Sequence, residues 1–324
     1  MSMKRMLCLL LALLLPAISL AETIPTGALY RARVHQNTGL RDEPDRSSAY
    51  GKVAPEDSWV YILEYGPDWC RCAYDGFEGW MMTDRLYELW QVSDAPLPGW
   101  VAMSGVACIT RATHVGISGY SGNDLEPGYL ISAINAEGDV PMLRTTTRLE
   151  ADSFVFMPFV DAADARPGDL LYAYTTWYND RTGLDKSATL AKGRRKNIAL
   201  AVERLDGTVI APGEAFSFNG LCGPYTARNG YVNAPNISVD GVGIGGGVCQ
   251  ISTTIFEAML GLDLRLDQWN VHRYTGVQYA PQNLDSAVSS KKDLVFTNAY
   301  DFPLTLQVIT QEGALTALFF RAEE

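Results

Sequence analysis

The 324-residue chain has no uninterrupted apolar run of about 20 residues, so it offers nothing that would cross a bilayer as a permanent helix. Positive charge is scarce as well: 26 Lys and Arg face 37 Asp and Glu, for a net charge of −11. That balance argues against nucleic acid as a partner and against attraction to anionic lipid, because both need clustered cations. It suits the solvated surface of an exported protein. The chain has only three histidines, at 35, 114 and 272, and no second Cys or His pair at ligand spacing. No metal and no cofactor are therefore expected. Of six cysteines, Cys8 lies in the N-terminal apolar run; the other five, Cys70, Cys72, Cys108, Cys222 and Cys249, are an odd number and cannot all pair. Cys70 and Cys72, two apart in an expected strand, share a face but are poorly placed for a mutual disulfide.

Residues 1–21 have the three parts of a secretory signal: basic Lys4 and Arg5, an apolar run over residues 6–15, and small Ser19 and Ala21 at the cleavage positions. The mature chain is expected to begin near Glu22 and to be exported to the cell exterior, wall or periplasm. About 300 remaining residues exceed what one core organises, so two or three domains are expected. The aromatic content and 29 glycines suit a turn-rich, mostly β chain.

Residues 28–90 read as short strands with Gly and Pro punctuation: 30–34, a turn at 40–44, then 59–64, 69–74 and 79–82. Thr38-Gly39-Leu40-Arg41-Asp42-Glu43-Pro44, Trp69 before an alternating strand, and Gly79-Trp80 resemble a bacterial SH3-like domain. The resemblance implies a small barrel that binds cell-wall peptide or targets the protein to the wall. Trp69 and Trp80 are its candidate ligand contacts, although most aromatics of so small a barrel are core. A linker over residues 93–98, with two prolines, marks a boundary. Residues 99–165 return to short strands, at 106–113, 129–134, 140–145 and 153–159, and read as a β-rich module: a second, divergent SH3-like barrel or a β extension of the C-terminal domain. His114 has no close sequence partner and reads as structural.

From residue 168 onward helix and strand mix. Residues 170–177 read as a strand, 194–205 as a helix, and a glycine-rich loop at 243–247 feeds an amphipathic helix carrying Ile251, Ile255, Phe256, Met259 and Leu260 on one face. Cys249 stands at that helix start, where free backbone amides and the positive end of the helix dipole favour a thiolate and can hold an oxyanion. The plain alternative is a small buried hydrophobe beside a tight turn. A strand expected over 264–274 carries His272, and a turn before residue 285 presents Asp285. Cys, His and acid in that order match papain-like and transglutaminase-like thiol enzymes. Asn219, Gly245, Gly246, Gly247 and Gln250 are candidate substrate or oxyanion contacts.

Residues 194–201 (RRKNIALA), 209–219 (VIAPGEAFSFN), Gly230-Tyr231, 245–250, Ser252-Thr253-Thr254, His272, 284–288 and 293–298 together resemble the VanW family, over a domain running from 168 to 324. The resemblance implies a cell-envelope protein, linked by the family's name to glycopeptide resistance, with no established reaction. Cys222 departs from the expected small or aliphatic residue and offers a disulfide to Cys249. The expected fold class is multidomain: one or more all-β SH3-like barrels and an α+β VanW-like domain. Two functions are consistent with it: binding of peptidoglycan or its stem peptides without chemistry, or a Cys-His thiol enzyme acting on wall peptide or amide bonds with Cys249, His272 and Asp285.

Overall fold

The computed structural model describes residues 24–115, 123–142, 145–178, 188–237, 241–272 and 277–323; the expected signal segment lies outside them. The molecule is mostly β, built from several small sheets. In the first region, seven strands form one antiparallel sheet: β1 (Tyr30–Val34), β2 (Thr38–Arg41), β3 (Tyr50–Ala54), β4 (Trp59–Glu64), β5 (Trp69–Tyr74), β6 (Phe77–Met82) and β7 (Leu86–Gln91), in the order β3-β2-β6-β5-β4-β1-β7. Period-two burial makes the core side: Tyr30, Ala32 and Val34 from β1, Cys70 and Cys72 from β5, and Met81 from β6. Gly79 is required where β2 crosses β6, since a Cβ there would lie 2.8 Å from the Arg41 carbonyl oxygen and 2.9 Å from Leu40 Cβ. The edge strands β3 and β7 are not paired with each other, so the sheet does not close as the barrel expectation required.

The second region holds β8 (Gly105–Ile109), β9 (Thr113–Val115), β10 (Asn123–Leu125), β11 (Leu130–Ala133), β12 (Asp139–Met142), β13 (Thr145–Arg148) and β14 (Phe154–Pro158). They form a β11-β8-β14 sheet and two hairpins, β9-β10 and β12-β13. The single strand expected over 106–113 is two strands, broken where the chain leaves one sheet for a hairpin. Ile109, Val115, Leu125, Ile131 and Val140 share a core with Trp177 and Ala314 of the third region. The backbone N–H of Ser132 donates to Thr175 Oγ1 (2.8 Å), and that of Thr175 donates to Ser132 Oγ (2.9 Å). His114 is exposed, and its Nδ1 lies 2.6 Å from Asp124 across the β9-β10 pair.

The third region contains β15 (Leu170–Trp177), α1 (Ala188–Leu205), β16 (Thr208–Ile210), β17 (Ala215–Ser217), α2 (Phe218–Cys222), β18 (Asn233–Pro235), β19 (Val242–Ile244), α3 (Val248–Met259), β20 (Leu264–Gln268), β21 (Val295–Asn298), β22 (Leu304–Gln311) and β23 (Ala314–Arg321). An antiparallel β15-β23-β22-β16 sheet is joined by a β17-β21-β20 sheet and the β18-β19 hairpin. Helix α3 runs through the middle of this region with nearly every residue buried, polar ones included, so its stability comes from packing on all sides. It packs on β15 and β23 and against α1. The strand expected to reach residue 274 stops at Gln268, where its pairing with Val295 ends.

Candidate functional site

The site forms where α3 begins. Gly247 caps the helix with φ 105°, a left-handed backbone that an L side chain rarely adopts, and Cys249 follows in the first turn. Asn197 of α1 fixes the loop before it: its Nδ2 donates to the carbonyls of Gly246 and Val232 (both 3.0 Å), and its Oδ1 accepts from Val232 N (2.9 Å). Gly246 lies so close to the β18 backbone that a Cβ would sit 2.3 Å from the Pro235 carbonyl oxygen. The half-buried Cys249 thiol faces the Val288 carbonyl at 3.5 Å.

The next elements deliver His272 and Asp285. His272 lies beyond β20 and outside any ladder, because its backbone N–H donates to Asp285 Oδ2 (2.9 Å) instead of to a strand. The same oxygen stands 2.6 Å from His272 Nδ1. With Nδ1 held by Asp285, the ring's other nitrogen, Nε2, is the one left for Cys249. Burial alone would lower the His272 pKa. Hydrogen bonds to Asp285 and Cys249, with their negative charge, outweigh it and raise the pKa to about 9. The side chains of His272 and Asp285 are 17% and 1% exposed, so the pair is sheltered from water except at the ring.

Ser252 and Thr253 of α3 place this acid. Thr253 Oγ1 donates to the Cys249 carbonyl (2.7 Å) and accepts from Ser286 N (2.8 Å), while Ser252 Oγ donates to the Ser286 carbonyl (2.7 Å). Two hydroxyls on one helix turn therefore fasten the segment after Asp285 to the turn that carries Cys249. On the far side, Trp269 Nε1 donates to the Asp285 carbonyl (2.9 Å). In the sequence Ser252, Thr253 and Thr254 stand out only as a motif; the role of the first two emerges from contacts some 33 residues away along the chain, while Thr254 bonds Thr176 of β15.

A cavity of about 660 Å³ opens on Cys249 and His272, walled by Tyr225, Tyr279, Asn219, Arg194 and the loop from Gly245 to Gly247. Burial keeps both tyrosines above their ordinary pKa, reinforced at each by the nearby Cys249, and at Tyr279 partly offset by Arg194. Both stay phenols at neutral pH. Sequence reasoning missed Arg194, Tyr225 and Tyr279 as site residues, since no local spacing links them to Cys249.

The other expected contacts divide. Gly245, Gly246, Gly247, Gln250 and Asn219 all line the cavity, but the two side-chain amides are engaged within the protein. Asn219 Nδ2 donates to the carbonyls of Ser289 and Lys292 (both 2.9 Å), and its Oδ1 accepts from the Tyr225 hydroxyl. Gln250 donates to Thr176 Oγ1 (3.0 Å) and accepts from Arg194 Nη2 (2.6 Å). Trp69 and Trp80 are not brought to the cavity; they lie on β5 and β6, on the face shared with exposed Arg71. All five described cysteines are free, which overturns a Cys222–Cys249 disulfide. Cys222 is buried and directs its thiol to the Ala201 carbonyl at 3.8 Å; burial pushes its pKa up to about 12. Among the described residues no group of three or more His, Cys, Asp or Glu is placed to hold a metal, and no helix is long and apolar enough to cross a membrane.

Comparison with known proteins bears on this same region. No solved structure matches the chain. A curated relative, "Uncharacterized protein YoaR" of Bacillus subtilis (strain 168), is 32% identical over 154 residues, which cover 46% of this chain and 47% of the relative. The chain thus spans about half the length of the curated relative it matches. A family model described as "VanW like protein" matches residues 193–320, the stretch from α1 to β23 that builds the cavity, and these residues are a VanW-like domain.

Proposed function

We propose that the VanW-like domain is a thiol-dependent enzyme acting on peptide or amide bonds of the cell envelope, with Cys249 as nucleophile, His272 as acid and base, and Asp285 as the residue that orients His272. The observation that carries the reading is the 2.6 Å Asp285–His272 Nδ1 contact behind a ring that meets Cys249 at the floor of an open cavity. A merely structural cysteine needs no histidine held in one orientation by a buried carboxylate. In the reaction the sulfur adds to the substrate carbonyl, its proton residing on His272. The oxyanion forms against the first turn of α3. Val248 N–H and Gln250 N–H donate to the carbonyls of Gly245 and Gly247, so the Cys249 N–H between them is the candidate donor. His272 then gives its proton to the departing amine as the C–N bond breaks, leaving a thioester for water or a second amine.

The envelope assignment rests on the family resemblance and the signal-like first 21 residues. Export is tested by N-terminal sequencing of the protein recovered outside the cytoplasm, which should begin near Glu22. The first sheet is assigned the wall-binding role, with Trp69 and Trp80 on a common outward face; its SH3-like character is part of this proposal. The deciding assay incubates the full chain with purified peptidoglycan and follows products by mass spectrometry. Cleavage or transfer that vanishes in Cys249→Ala, while co-sedimentation with walls persists, is expected. Co-sedimentation without any product, equal in wild type and Cys249→Ala, would leave binding without chemistry as the function.

A further inference from the structure

The cavity's charge does not follow the rest of the protein. The chain carries 37 acidic and 26 basic residues, yet among the described residues that line the cavity none is Asp or Glu. Asp285 is buried behind His272, and Asp293, behind Asn219, is engaged by the Ser217 hydroxyl (2.7 Å) and the Asn219 N–H (2.8 Å). The permanent cation of the lining is Arg194, on α1. Its Cγ lies where a Cβ on Gly247 would be 3.1 Å away, and its Nη2 donates to Gln250 Oε1 at 2.6 Å. The guanidinium therefore crosses the turn in which Cys249 stands between Gly247 and Gln250. It also lies over the Tyr178 ring, 5.8 Å from its centre. Gln250 and Tyr178 orient the group but do not neutralise it, and among the described residues no carboxylate forms an ion pair with it. A cation at the wall of a reactive cavity with no compensating carboxylate among the described residues, in a protein otherwise rich in carboxylates, marks an anion site.

We propose that Arg194 receives a free carboxylate of the substrate, so that the site acts on a peptide or acyl amide carrying a carboxylate close to the bond attacked. The proposal rests on the thiol reading of Cys249 and names its substrate class. Guanidinium matches a planar carboxylate through two parallel N–H donors, and only one of its five is used on Gln250 here. The rim adds the complementary half: Ile237 and Ile244 line the mouth and are exposed, which suits an apolar side chain next to the charged group.

The test uses the full chain and the thiol itself as reporter. Cys249 alkylation is timed with iodoacetate and with iodoacetamide, and the ratio of the two rates is divided by the same ratio for the unfolded protein, which removes the reagents' intrinsic difference. Wild type should prefer iodoacetate, and Arg194→Gln should lower the normalised ratio by roughly five- to ten-fold, the scale of one charge lost from a partly screened site. Arg194→Lys should keep most of the preference. Because each ratio is taken on one variant, changes in the thiol cancel. On wild type alone, N-acetylalanine should protect Cys249 from iodoacetamide at several-fold lower concentration than N-acetylalaninamide, and inorganic phosphate should protect less well than N-acetylalanine. Equal protection by acid and amide, or a ratio unmoved in Arg194→Gln while Cys249 still reacts with iodoacetamide, would overturn the carboxylate site alone. Phosphate protecting as well as the carboxylate would overturn its carboxylate character. A wild-type Cys249 inert to both reagents would instead overturn the thiol reading, and this proposal with it.

Discussion

Glu257 offers the most quantitative check on the buried interior beside the site. It lies in the middle of α3 with no exposed surface, and neither carboxyl oxygen makes a hydrogen bond of ordinary geometry among the described residues. Burial, opposed by the nearby Tyr174 hydroxyl and reinforced by the charge of Asp285, pushes its pKa up to about 8 from an ordinary 4.5. The native protein therefore keeps this proton over a pH range in which the unfolded chain has lost it. Stability falls as pH rises from 4.5 to 8, at ~1.4 kcal/mol per pH unit for this group, and the loss reaches about 3 kcal/mol at pH 7. Glu257→Gln has nearly the same shape and no proton to lose. Relative to wild type it should gain under ~1 kcal/mol at pH 5 and about 3 kcal/mol at pH 7, on top of any constant offset from the amide itself. At roughly 2 °C per kcal/mol for a chain of this size, the melting temperature difference should widen by about 5 °C between those pH values. Thermal melts of both proteins at pH 5, 6, 7 and 8 measure it. A difference that stays flat across the series would mean that Glu257 is ionised in the folded protein and that the burial argument fails.

The neighbouring groups give further outcomes. Asp285→Asn should drop the His272 pKa from about 9 toward or below its ordinary 6.5, read by NMR titration of the ring; since a raised histidine stabilises most below 6.5 and loses that effect as pH climbs through 9, the variant's deficit should be largest, up to ~3 kcal/mol, in acid and smallest at pH 9. In the reduced native protein Cys249 should alkylate before Cys108 and far before Cys70, Cys72 and Cys222, which are fully buried, and His272→Ala should slow it at least about ten-fold. Peptide mapping by mass spectrometry ranks the five thiols. Gly246→Ala drives a methyl into the Pro235 and Ala234 carbonyls, at 2.3 and 2.7 Å, and should cost roughly 2–4 kcal/mol together with the selective reactivity of Cys249; a variant that melts like wild type would show that the loop has more room than the structure gives it.

Much of the fold could be read from local pattern because local physics sets it. Strands β1, β4, β5 and β15 begin and end where alternation and turn residues place them, and α3 starts at the last glycine of its loop, whose left-handed backbone suits glycine. What the sequence could not show is how strands associate. Nothing in residues 28–90 states that β3 and β7 stay apart, and residues 99–165 read either as a barrel of their own or as an extension of the C-terminal domain until Ser132 and Tyr129 are seen bonded to Thr175 and Thr316. His272 and Asp285 were legible as chemistry but not as geometry: the strand expected through residue 274 ends at Gln268, and the His272 N–H donates to the Asp285 carboxylate instead of to a ladder. Asn219 and Gln250 have the donors of an oxyanion site, and only their long-range partners reveal that those donors are already engaged.

His272 and Asp285 lie on irregular chain, which has no ladder to hold it, so their alignment must come from side chains on both flanks. On the inner flank the hydroxyls of Ser252 and Thr253 fasten Ser286 to α3, and the Ala287 N–H donates to the Asn270 carbonyl at 2.8 Å, tying the His segment to the Asp segment. On the outer flank Trp269 stacks on Phe256 at 4.6 Å, meets Trp90 of the first sheet edge-on at 5.8 Å, and donates its indole N–H to the Asp285 carbonyl. Each hydrogen bond contributes about 1 kcal/mol and each aromatic pair about 0.5–1.5 kcal/mol beyond its buried area. Together they exceed thermal energy several-fold, enough to hold one arrangement of the two loops. Trp90 belongs to the first sheet, so the N-terminal region is itself a wall of the support that aligns the histidine. The support for His272 and Asp285 therefore continues into the first sheet through Trp269 and Trp90, and Asn283, two residues before Asp285, donates its Nδ2 to the Leu86 carbonyl of β7 at 3.5 Å.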